Sequence, residues 1–152
     1  MNNAQSTRPE SPRSGRPPRT RMMASEYLGG MKGTATLKTE LSYFTGTEQY
    51  YENPMFPDVR YTSGVRHLAQ RAGAYWLIDA ICSHIPTANR QIGDRFQVWT
   101  LEVGDDKSAL LECRADSDKP VVVSQSIEHT DFPLKTIAIW AESGVLLLPS
   151  EH

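Results

Sequence analysis

Residues 62–86 read TSGVRHLAQRAGAYWLIDAICSHIP, and residues 96–148 change to a different rhythm. The first stretch has a capping side chain at Thr62 or Ser63, an apolar stripe of Val65, Leu68, Ala69 and Ala72, and a proline after Ile85. Apolar residues spaced three and four apart between such signals predict a helix over 64–85, closed by Pro86. Gly73 divides it. Beyond that glycine, Tyr75, Trp76, Leu77, Ile78, Ile81, Cys82 and Ile85 surround the axis, as expected of a segment buried on most sides or of a second helix at a new angle.

From Phe96 onward the apolar period falls to two, with turn signals at 104–107, 116–119, 130–133 and 142–144. This predicts an antiparallel meander of about five strands, at 96–103, 108–115, 121–130, 135–141 and 145–148. One face would hold Trp99, Leu101, Val103, Leu111, Cys113, Val121, Val123, Ile127, Ile137 and Ile139 beneath the helix. Phe96, Val98, Leu110, Val122 and Trp140 would share the other face with polar residues, more apolar than a solvated sheet face requires. A cover is expected over part of it: the segment 36–44, the loop 50–56, a second copy of the chain or a ligand.

Upstream, Leu37, Leu41 and Phe44 predict a short amphipathic helix stopped by Gly46. The Pro-punctuated stretch YYENPMFPD (50–58) reads as an ordered loop pressed onto the core, with Tyr50 and Tyr51 as candidate contact residues. The expected architecture is therefore α+β: one domain over 34–152, an antiparallel sheet packed on one or two helices. Residues 1–33 read as a disordered Arg/Pro/Ser-rich arm, since the first 26 contain four prolines and no aromatic side chain. Met22, Met23 and Met31 are internal candidates for the translation start.

Charge narrows the function classes. Residues 1–35 carry +4 and residues 36–152 carry −6. The globular part should repel nucleic acid, and any contact with it falls to the arm, residues 8–21. Apolar runs are shorter than the roughly 20 residues of a spanning helix, and the start lacks a secretory core, so a cytoplasmic location is expected. Cys82 and Cys113 have no ligand-like spacing and read as reduced, buried thiols. No nucleotide loop, metal signature or hydrolase elbow occurs, so no cofactor and no metal are expected.

Asp79 lies in an apolar helix, where a buried carboxylate needs a partner, with Arg71, His67, His129 or backbone N–H groups of the Pro-rich loop as candidates. It reads either as a structural tie between loop and helix or as a raised-pKa acid. His129 stands beside Asp131 at a strand end and could act as a base, although Thr130 and Asp131 also suit an ordinary turn. A small hydrolase-like enzyme would use Asp79 and His129, with Asp131 or Cys82 in support. The competing expectation is a non-enzymatic interaction module, binding an unknown protein partner or itself through Trp140, Val122, Phe96, Tyr50 and Tyr51.

The blocks YFTGTEQYY (43–51), YTSGVRHLAQRAGAYWLIDAI (61–81), FQVWTLEV (96–103), LLECRADS (110–117), SIEHTDFPLKTIAIW (126–140) and GVLLLPSEH (144–152) together resemble a family of small bacterial proteins of unknown function, domain of unknown function 6876. Its members are associated with mobile and phage-related DNA. The resemblance spans about residues 38–152 and implies no activity, cofactor or catalytic residue.

Overall fold

The computed structural model describes residues 29–46 and 49–152. Two compact units divide the chain, Met1–Thr36 and Leu37–His152. In the first, the described backbone is the opening of helix α1 (Gly29–Ser42), which begins earlier than the expected Thr36 and ends before Gly46. The remainder of the expected arm, and with it residues 8–21, lies outside the described residues.

The second unit is α+β. Its helices follow from their caps. Thr62 accepts a hydrogen bond from the Val65 N–H at 3.3 Å and starts α2 (Ser63–Ala72), which ends where Gly73 takes φ 62°. That left-handed conformation suits glycine, and it turns the chain into α3 (Tyr75–Ile92). Pro86 does not close the helix; it sits inside α3, which runs on to Gly93. A proline there removes one backbone donor, at about 3 kcal/mol in an ordinary helix interior. The turn beyond it is held from outside: Ala88 is fully buried, and the Gln97 amide donates to Asn89 Oδ1 at 2.7 Å and to the Gly93 carbonyl at 2.9 Å.

Seven strands form one mixed sheet. They are β1 (Tyr50–Asn53), β2 (Phe56–Thr62), β3 (Gln97–Val103), β4 (Ala109–Arg114), β5 (Val121–Ile127), β6 (Thr136–Glu142) and β7 (Val145–Leu147), in spatial order β1-β2-β7-β6-β3-β4-β5. Five strands was an undercount, because the stretch expected as a loop at 50–58 is mostly a hairpin of β1 and β2. Pro54 and Pro57 disguise a real alternation, in which Tyr51, Val59 and Tyr61 turn towards the helices and Tyr50, Glu52 and Arg60 turn away.

The sheet is not purely antiparallel either. β7 lies parallel to β2, with Arg60 opposite Val145 and Tyr61 opposite Leu146. Nor is the order a meander. β6 pairs with β3 rather than β5, giving β6-β3-β4-β5, a Greek-key order. The connection that makes this possible contains Thr130, Phe132 and Leu134, all buried, so it closes one end of the core instead of forming a loose turn.

All three helices contribute to one hydrophobic core on one face of the sheet: Leu37 and Leu41 from α1, Val65 and Leu68 from α2, Leu77, Ile78, Ile81 and Cys82 from α3. They meet Trp99, Leu101, Leu111, Cys113, Ile139 and Leu146 from the strands. The expected face assignment fails at one place. An irregularity at Cys113/Arg114 leaves Val122 as an extra residue, with Cys113 opposite Val123 and Arg114 opposite Val121. A bulge of one residue reverses side-chain alternation on either side of it. Val121 is therefore exposed on the open face, and Val122 packs against the core.

Candidate functional site

Two groups of side chains concentrate chemistry in this unit, one on each face of the sheet.

The helix-side group sits where the β1–β2 hairpin meets α2 and α3. Asp79 accepts a hydrogen bond from Asn53 Nδ2 at 2.6 Å, and Asn53 Oδ1 accepts the Met55 N–H at 3.0 Å. Asp79 itself is exposed, contrary to the expectation of a buried carboxylate. With 3.6 residues per turn it shares an outward strip with Tyr75 and Ser83, both exposed, while Ile78, Ile81 and Cys82 face inward. Its partner is none of Arg71, His67 and His129, but an asparagine side chain in the stretch expected to be a loop. Nearby, Arg66 donates to the Tyr51 hydroxyl at 3.1 Å and lies 4.5 Å over the Tyr51 ring, which stacks on Tyr61 at 5.8 Å. Burial raises the Tyr61 phenol above its usual range, helped by Tyr75. The Cys82 thiol is pushed up to about 12, first by burial and then by the charge of Asp79, so at neutral pH it stays protonated. Cys113 is likewise pushed up to about 12 by burial. A protonated, enclosed thiol is a poor nucleophile.

His129 is elsewhere. It is exposed at the end of β5, with Nε2 3.5 Å from Asp131 Oδ1, and Lys107 Nζ lies 4.0 Å from that same oxygen. Beside them Thr130 Oγ1 accepts the Phe132 N–H at 3.1 Å, the geometry of a turn. Asp79 and His129 thus belong to separate clusters with separate partners. His67 and His84 are also apart: His67 contacts Glu40 at 2.6 Å, and His84 contacts Gln125 at 2.7 Å. Among the described residues no cluster of three or more His, Cys, Asp or Glu side chains could hold a metal ion.

The second group occupies the open face. Register places Leu147 opposite Trp140 and Trp140 opposite Val98, a row of apolar side chains across β7, β6 and β3. Val98 and Leu147 are buried although, among the described residues, no α-helix packs over them. Beside them, around Trp140, lies a triangle of rings: Trp140 to Phe96 at 5.1 Å, Trp140 to His152 at 5.1 Å and Phe96 to His152 at 6.3 Å, all edge to face. That geometry is the favoured one for ring quadrupoles. His152 thereby joins an aromatic cluster that did not figure in the sequence reading.

Beside this triangle opens a cleft of ≈ 550 Å³ lined by Tyr50, Thr62, Glu142, Ser143, Val145, Leu147, Glu151 and His152. Its floor is fixed by Glu151, on the closing 3₁₀ turn (Pro149–Glu151). Glu151 Oε1 accepts the Thr62 hydroxyl at 2.6 Å and the Leu148 N–H at 2.9 Å, and Oε2 accepts the Gly64 N–H at 3.1 Å. The carboxylate thus caps the start of α2, where helix N–H groups and the helix dipole favour negative charge. A Cβ at Gly64 would fall 2.6 Å from Glu151 Oε1, so a larger residue there must displace the carboxylate. At the rim, His152 Nε2 lies 3.7 Å from Glu142 Oε1, and Tyr50 is half exposed.

Of the contact residues expected from sequence, the structure brings Trp140, Phe96 and Tyr50 to this cleft and its margin. Tyr51 turns to the helix side, and Val122 belongs to the core margin at the far end of the sheet. Sequence reasoning missed Glu142, Glu151 and His152, whose only local signal was the Ser143–Gly144 turn that folds β7 back on β6.

A family model matches residues 35–152. The chain belongs to the family of unknown function DUF6876. No curated protein and no solved structure matches it. The matched span of this DUF6876 chain includes both side-chain groups and the whole sheet. Among its described residues no helix is long and apolar enough to cross a membrane.

Proposed function

We propose that this DUF6876 chain is a non-enzymatic interaction module that receives a protein partner on the open face of its sheet, around Trp140, Phe96 and Tyr50. The observation that carries this reading is the aromatic triangle beside Val98 and Leu147, at the margin of a ≈ 550 Å³ cleft on the face that bears no α-helix among the described residues. Tryptophan and tyrosine beside a concave site are the residue types that dominate binding energy at protein interfaces. In its wider setting the module is a cytoplasmic accessory of a bacterial mobile genetic element.

The test is capture of partners from native-host lysate by the tagged full chain, compared with a Trp140→Glu variant of unchanged melting temperature. A stoichiometric partner present with the wild type and lost with Trp140→Glu is the expected result. A partner held equally by both proteins would refute the assignment of the face.

A further inference from the structure

The two edges of the sheet are built differently. β1 is four residues long, carries Glu52 within 4.0 Å of Arg60, and breaks register at Glu52/Asn53 just before Pro54. Shortness, charge and irregularity all keep an edge from recruiting another strand. β5 is seven residues, VVVSQSI, with neither a charge nor a proline within it. Its bulge at Val122 sits near its start and leaves residues 123–127 regular. Among the described residues β5 is paired on one side only, with β4, while α3 covers its helix-side face through His84 and Gln125. Ser124 and Ser126 are exposed.

The geometry points to β5 as the seam of a homodimer, in which β5 of a second copy pairs with it antiparallel about a two-fold axis at Ser124 and continues the sheet. Self-pairing suits this strand for two reasons. A two-fold through Ser124 sets Val123 opposite Gln125 of the other copy, and no like charges meet along the seam because the strand has none. Self-pairing also satisfies the outward N–H and C=O groups of a strand whose sequence otherwise favours uncontrolled edge pairing.

Sedimentation velocity of the full chain over about 1–100 µM tests this directly. The wild type should reach a dimer. The double substitution Ser124→Lys, Ser126→Lys places charges along the seam without touching the core, and should raise the dissociation constant about ten-fold with an unchanged circular-dichroism spectrum. If that variant misfolds, amide exchange of the wild type decides, since residues 121–127 should become slower with rising concentration. A wild type that is monomeric throughout overturns the proposal. So does a dimer unaffected by the lysines but dissociated by Trp140→Ala, because its interface would be the open face instead.

Discussion

The covered and open faces of the sheet begin from the same alternation of side chains and end in different states. On the covered face Trp99, Leu101 and Leu111 are sealed under three helices, and the polar groups that enter are paired, as Gln97 is with Asn89, Gly93 and the Trp99 indole. On the open face burial is local: Val98 and Leu147 are hidden, with rings from the sheet and the chain's end beside them. A sealed face can lose a side chain only by opening a cavity. An open one can exchange its ring contacts for those of a partner. The difference separates residues that hold the fold from residues free to bind.

The largest way to sharpen the contrast is a pair of truncations. Leu111→Ala, at a fully buried position, should cost about 3 kcal/mol in chemical denaturation. Val121→Ala, displaced to the open face by the bulge, should stay within about 0.5 kcal/mol. Equal losses would mean that the bulge does not divide the faces as described.

Next in size is the cap that joins the two faces at the start of α2. Glu151→Ala leaves the Thr62 hydroxyl and the Gly64 N–H without their acceptor and should cost about 2 kcal/mol. Gly64→Ala should destabilise through the same contact, because the new Cβ displaces the carboxylate. A melting temperature unmoved by Glu151→Ala would show that the closing turn is dispensable.

How much of this was legible depended on the distance over which each feature is encoded. Both helices after Thr62 announce themselves within a few residues, through a cap, an apolar stripe and the left-handed Gly73. Their end was misplaced because Pro86 is a strong local stop, overridden by the distant contacts of Ala88, Asn89 and Gln97. Strands β3 to β6 were visible in their alternation, but their order was not, since the β6–β3 pairing passes over two intervening strands. β7 beside β2 joins residues separated by most of the domain, and no local pattern could report it. Asp79 was read from its apolar neighbours instead of its angular position on the helix. The cleft was legible only in part, because Tyr50 and Trp140 are conspicuous residues while Glu142, Glu151 and His152 acquire meaning only when the chain's end folds back.

A smaller effect comes from the two core thiols. Their folded-state pKa is raised by burial from 9.0 to about 12, so their protonated form stabilises the fold fully below pH 9. That contribution should fade between pH 9 and 12, as the unfolded chain ionises and the folded one resists. A melting temperature that falls over this window, and falls less in Cys82→Ala, Cys113→Ala, is the expected outcome. At pH 8 neither thiol of the native protein should react with iodoacetamide.

The most direct test of the division between faces is binding of the captured partner, measured by calorimetry for two aromatic truncations. Trp140→Ala removes a ring from the open face, and Tyr75→Ala removes an exposed ring from the helix side. Trp140→Ala should weaken binding about 30-fold while Tyr75→Ala changes it less than about two-fold. The reverse order, or equal effects, would contradict the division between faces.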